Sequence, residues 1–94
     1  MFKNKMISVV IPAHNEQKLI RKVLQSIPHW VDHIYVVDDC SLDATSEKVR
    51  ERIQSDTRIQ LIRHEENQGV GAAICSGYKA SLDNQVDISV VMAG

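Results

Sequence analysis

The sequence predicts an α/β fold: a mostly parallel sheet with helices on both faces, in three layers. Three observations predict it. Four β-rich apolar runs alternate with three stretches of helical character. The connections are short, and a βαβ order then calls for right-handed crossovers between parallel strands. The strand runs are also close to continuously apolar, as strands covered on both faces are.

The elements follow in order. Residues 7–11 form the first strand, and Pro12 is expected to end it because proline cannot donate to a ladder. From Lys18, the residues Leu19, Ile20, Val23, Leu24 and Ile27 recur at helical spacing with Lys18, Arg21, Lys22 and Gln25 between them, until Pro28 stops the helix. Residues 33–38 make the second strand. Ser41, Leu42 and Asp43 offer an N-cap for a more polar helix over 44–53, where Val49 and Ile53 form a thin apolar stripe. Residues 58–63 read as a shorter third strand, 64–69 as a polar loop, and 70–82 as a helix of small residues holding Gly71 and Gly77. Residues 88–92 make a fourth strand.

Composition narrows the class. The 94 residues suit one small domain. With 44% apolar and 24% charged residues the chain matches an ordinary globular protein rather than a disordered one. Eleven Lys and Arg against twelve Asp and Glu give a formal charge of -1, so no electrostatic footprint for nucleic acid or anionic lipid is present. No apolar run reaches the roughly 18–20 residues of a membrane span, and the short apolar run before Pro12 is too brief for a signal peptide. Cys40 and Cys75 lack the spacing of a zinc site or a disulfide framework and read as reduced thiols. The chain therefore reads as cytoplasmic. Its last residues, Met92, Ala93 and Gly94, fall where open α/β sheets place their ligand chemistry, so it reads as the front piece of something longer.

Polar residues just past the strand ends are the candidates for chemistry. Pro12, Ala13, His14, Asn15 and Glu16 follow strand one, Asp38 and Asp39 close strand two, and His64 to Gly69 follow strand three. Successive residues of a strand point to opposite sides, so one of the two aspartates braces the neighbouring loop while the other faces the cleft; capping of the next helix by both is the alternative. Asn15 suits a helix cap. His14 either lies against a ligand or is simply solvated. Gly69, Val70 and Gly71 do not make a dinucleotide fingerprint, because Ile74 stands at the third glycine position and the segment follows strand three; no P-loop pattern exists either.

Three blocks carry a resemblance: residues 7–16, ending Pro12-Ala13-His14-Asn15-Glu16; residues 36–45, Val36-Val37-Asp38-Asp39-Cys40-Ser41-Leu42-Asp43-Ala44-Thr45; and residues 67–73, Asn67-Gln68-Gly69-Val70-Gly71-Ala72-Ala73. Together, in this order, they resemble the family 2 glycosyltransferases, most of all the dolichyl- or undecaprenyl-phosphate sugar transferases. The resemblance implies a Rossmann-like half of a GT-A fold with strand order 3-2-1-4, and one nucleotide-sugar-binding domain over residues 1–94. It further implies an NDP-sugar partner, UDP- or GDP-linked, and transfer of the sugar to a lipid phosphate or glycan.

By the same resemblance Pro12, Ala13, His14 and Glu16 line the base and ribose, Asp39 contacts the base with Asp38 as its neighbour, and Asn67 and Gly69 close over the nucleotide. His14 stands where tyrosine is frequent, and Val70 where Lys or Arg is common. The family's Mg²⁺ or Mn²⁺ motif would begin beyond Gly94, so no metal is expected on this chain and no catalytic base can be nominated. Two rivals remain at this point: a non-catalytic α/β module that binds a partner, and a nucleotidyltransferase, which would show a Gly-rich first loop with Arg and Lys. An uncovered fourth strand also leads to the expectation of a homo-oligomer through that edge.

Overall fold

The structure is a computed structural model, and it describes residues 1–92. Seven elements alternate: β1 (Ile7–Ala13), α1 (Ile20–Gln25), β2 (His33–Asp39), α2 (Thr45–Ile53), β3 (Ile59–His64), α3 (Val70–Asp83) and β4 (Ile88–Val91). The four strands are parallel in the order β3-β2-β1-β4, as the resemblance implied. The expected chain stop includes Ala93 and Gly94, which lie outside the described residues.

Strand parity sorts the core into two layers. On one face Val9, Ile11, Ala13, Ile34, Val36 and Ile59 pack with Ile20 and Leu24 of α1 and Val49 of α2. On the other face Val10, Tyr35 and Val37 meet Ala73 of α3. The seat of α3 is unusually close: a Cβ built on Gly77 would lie 2.2 Å from Val10 Cγ1. Nearer β4, the same face turns polar. Ser8, Ser81 and Ser89 form a triangle of hydroxyls with Oγ–Oγ distances of 2.8, 2.6 and 2.8 Å.

Several local expectations are corrected. β1 runs through Pro12 to Ala13 rather than stopping. The Val10 carbonyl accepts the Met92 amide, so Pro12, two residues on, turns its donor-less nitrogen to the same side, where β4 has already ended. The strand therefore loses no ladder bond to β2. Helix α1 starts at Ile20, two residues later than the pattern from Lys18, because Glu16 O takes the Leu19 and Ile20 amides in a preceding turn. Leu19 is left exposed, while Ile27 is buried beyond the helix end. β2 and β3 each extend one residue further than expected, to Asp39 and His64.

β4 pairs with β1 on one side only, and Ile88, Val90 and Val91 remain 45%, 48% and 37% exposed. No helix among the described residues is long and apolar enough to cross a membrane.

Candidate functional site

Both central strands end at the same edge of the sheet, and the loops that follow them are tied together. Asn15 adopts a left-handed φ of 53° instead of capping α1. Its amide donates to Ser41 Oγ (2.8 Å), and its side-chain Oδ1 accepts the Leu42 amide (2.9 Å). The Glu16 amide donates to Thr45 Oγ1 (2.8 Å), the Gln17 amide to Asp43 Oδ2 (3.3 Å), and the Ala44 amide to Gln17 Oε1 (3.1 Å). The Ser-Leu-Asp-Ala-Thr segment is thus mainly a clamp on the first loop. The cap residue of α2, Ala44, has no side-chain bond, although Asp43 does accept the Thr45 amide at 3.0 Å.

The two aspartates divide by parity. Asp38 points to the α2 face and is fully buried. It accepts from the Ser41 amide (3.0 Å), the Ser46 hydroxyl and Arg63 Nη1 (2.9 Å), and Arg63 also reaches Ser41 O (3.0 Å). A carboxylate taken out of water needs such partners. The Asp38 oxygens are thus spent inside the fold, where the residue braces the second loop.

Asp39 points to the α3 face. Its Oδ1 accepts from His64 Nδ1 (2.9 Å) and the Gln68 amide (2.9 Å), and its Oδ2 from the Gly69 amide (2.7 Å). The Gln68 amide, outweighing the opposing effect of burial, holds the Asp39 carboxyl below the usual carboxylate range, helped by His64 and the Gly69 amide. An ionised carboxylate only accepts, so His64 donates from Nδ1, and its Nε2 is paired with Ser76 Oγ (2.8 Å). Asp39, His64 and Ser76 share the bonding pattern of a nucleophilic triad. Ser76, however, lies inside α3, where neighbouring amides are consumed by the helix and none is left to hold an oxyanion.

A cavity of about 160 Å³ opens at this edge, lined by Pro12, Ala13, His14, Glu16, Asp39, Val70 and Ala73. Five of the residues singled out from sequence thus meet on one wall: Pro12, Ala13, His14, Glu16 and Asp39. Asp38, Asn67 and Gly69 do not line it. Asn67 Oδ1 accepts the Gly69 amide (3.1 Å), and Gly69 takes φ 91° at the N-cap of α3, a conformation suited to glycine. These two residues shape the start of α3 rather than the cavity wall. His14 donates from Nδ1 to Asp39 O (2.7 Å), with Asn15 Nδ2 on its Nε2 at 3.3 Å, so the ring is pinned rather than merely solvated.

Among the described residues that line the cavity there is no Lys or Arg. Nor do three of His, Cys, Asp and Glu cluster to hold a metal ion among the described residues. With the Asp38 oxygens bound to Arg63 and Ser46, and most of those of Asp39 bound to amides and His64, the residues present do not fit a divalent cation.

A parallel half-sheet covered on both faces, with its cavity where the central strands end, is the frame of an α/β ligand-binding domain. Over residues 8–86 the chain matches the family model described as Glycosyl transferase family 2, and it belongs to that family. It is 33% identical to the UDP-N-acetylglucosamine–dolichyl-phosphate N-acetylglucosaminyltransferase of Methanococcus voltae, over 93% of this chain and 40% of that protein. Among solved structures it is similar to a Pyrobaculum calidifontis mannosyltransferase in complex with GDP-Man and Mn²⁺, with TM-score 0.76 and 23% identity over 84% of this chain and 25% of that one. It is also similar to glucosyl-3-phosphoglycerate synthase of Mycobacterium tuberculosis, in complex with Mn²⁺, UDP and glucosyl-3-phosphoglycerate, with TM-score 0.72 and 25% identity over 96% of this chain and 33% of that one. The chain thus spans about 40% or less of the length of these proteins.

Proposed function

We propose that this chain is the nucleotide-binding portion of a glycosyltransferase that moves a sugar from an NDP-sugar, UDP- or GDP-linked, to a lipid phosphate or glycan acceptor. The observation that carries the proposal is Asp39, an ionised carboxylate lining the same cavity as Pro12, Ala13, His14 and Glu16 at the carboxyl edge of the sheet. Such a group accepts an N–H from a base. Glu16, partly exposed on the same cavity, would accept from ribose hydroxyls, and His14 would stand beside the base. Asn67 and Gly69 act through the start of α3, and Asp38 acts by holding the second loop. The names of the relatives support the donor and acceptor classes.

The chain's own contribution is binding and orientation. The sugar transfer itself, with the Mg²⁺ or Mn²⁺ of the family, belongs to residues outside this set.

Calorimetric titration with UDP and GDP tests the proposal. We expect weak binding that Mn²⁺ changes by less than tenfold, and at least a tenfold loss in a folded Asp39→Ala chain. A folded Asp39→Ala chain that binds like the parent refutes the assignment.

The exposed, singly paired β4 favours a second property, self-association through that edge. Sedimentation over a range of concentrations tests it, and a monomer at high concentration refutes it.

A further inference from the structure

We infer that the Asp39 cavity selects uracil over guanine, a conclusion that rests on the nucleotide reading above and deepens it. The free lone pairs of Asp39 set this preference. A carboxylate offers about four acceptor positions, two on each oxygen. Oδ1 of Asp39 has filled both of its positions, with His64 Nδ1–H and the Gln68 amide. Oδ2 has filled one, with the Gly69 amide. One acceptor position remains, on one oxygen.

The bases differ in what they bring to such a group. Uracil presents a single imide donor, N3–H, between two carbonyls. Guanine presents two adjacent donors, N1–H and the N2 amine, which a carboxylate satisfies only with one free lone pair on each oxygen. Cytosine turns an unprotonated N3 toward the carboxylate, acceptor against acceptor. Only uracil matches one free position without leaving a donor unpaired or two acceptors opposed.

The count is built in. The left-hand turn at Gly69 brings its amide onto Oδ2, and the bond from Ser76 Oγ to His64 Nε2 holds the ring with Nδ1 against Oδ1. His64 is on this account a positioning residue that sets base preference through Asp39.

An NMR titration of the ¹⁵N-labelled chain with UDP, GDP and UDP methylated at N3 decides it. We expect UDP to bind at least tenfold more tightly than GDP, and N3 methylation to lose at least tenfold, each about 1.4 kcal/mol. GDP binding as well as or better than UDP, or tolerance of the N3 methyl group, overturns the inference while leaving nucleotide binding standing. Absence of binding by all three overturns the nucleotide reading, and this inference with it. His64→Leu opens a position on Oδ1 and should narrow the UDP/GDP ratio, whereas His64→Asn, which keeps a donor near Nδ1, should preserve it. If His64→Leu does not fold, His64→Asn and the methylated nucleotide carry the test. A folded His64→Leu chain with the parent ratio overturns the lone-pair account.

Discussion

Substituting Gly77 by alanine tests how α3 is seated on the sheet. The added Cβ would meet Val10 Cγ1 at 2.2 Å, Cγ2 at 2.9 Å and Cβ at 3.1 Å, whereas carbon atoms rest at about 3.5–4.0 Å. Val10 has nowhere to turn. It is fully buried, β-branched and stiff at χ1, and its strand is held between β2 and β4. Helix α3 must therefore lift. Overpacking of this kind costs about 1–3 kcal/mol, and a contact this short belongs at the top of that range. Replacing a mid-helix glycine by alanine returns about 1 kcal/mol of helix propensity. The net expectation is a loss of about 2 kcal/mol, or roughly 8–16 °C in Tm for a domain of this size. Urea unfolding followed by circular dichroism measures it. Gly71→Ala is the control, because its Cβ meets nothing within 4 Å, and it should be neutral or stabilising. Val10→Ala combined with Gly77→Ala should cost less than the sum of the two single changes, since the clash is shared. A Gly77→Ala chain as stable as the parent would show that α3 is not seated on Val10.

Three further outcomes are expected. Asp38→Ala should cost about 1–3 kcal/mol, because the buried Ser46 hydroxyl and Ser41 amide lose their acceptor while the partly exposed Arg63 turns to water; a melting curve within a degree of the parent's would rule this out. Acid should act through Asp39 and Asp56, whose carboxyls are lowered chiefly by the Gln68 amide and by Arg58. Because the folded pKa lies below the unfolded value of about 3.9, their stabilisation is complete above that value and fades as pH falls through the folded one, so unfolding midpoints should hold flat from pH 8 to 5 and drop below about pH 4. For β4, Val90→Lys is the fair probe of association, since Val90 is 48% exposed while Ser89 is bonded to two other serines; it should leave the melting temperature near the parent's and shift sedimentation toward monomer. Association of the variant equal to the parent's would place the contact elsewhere.

What the sequence could carry was local. Period and punctuation located all seven elements, because burial on both faces of a parallel sheet leaves continuous apolar runs, and the parity of Asp38 and Asp39 already divided brace from cleft. Which aspartate did which was not decided by position alone; the register of Asp38 against Arg63 and of Asp39 against His64 decides it. The ties that shape the site join residues about 25 to 30 positions apart, such as Asn15 with Ser41 and Asp39 with Gly69, and no periodicity encodes them. Asn15 looked like a cap because asparagine at a helix start usually is one; here a partner across the cleft won. Pro12 looked like a terminator because the end of its neighbour β4 is a fact of tertiary alignment. His64 was visible only as a polar residue after β3, and Ser76 only as a small residue of a helix.

The triangle of Ser8, Ser81 and Ser89 has a consequence for how β4 is aligned. A strand half exposed on both faces carries little register information in its apolar side chains. Ile88 and Val90 would lose little by trading faces with their neighbours. Ser89 would lose much, because a slip of one residue turns its hydroxyl away from the α3 side and leaves Ser8 and Ser81 short of a partner. A buried hydroxyl without its partner costs about 1–3 kcal/mol. Three small polar groups thus act as a parity lock on the least covered strand. They reject misaligned docking of β4 while contributing little to the affinity with which it docks.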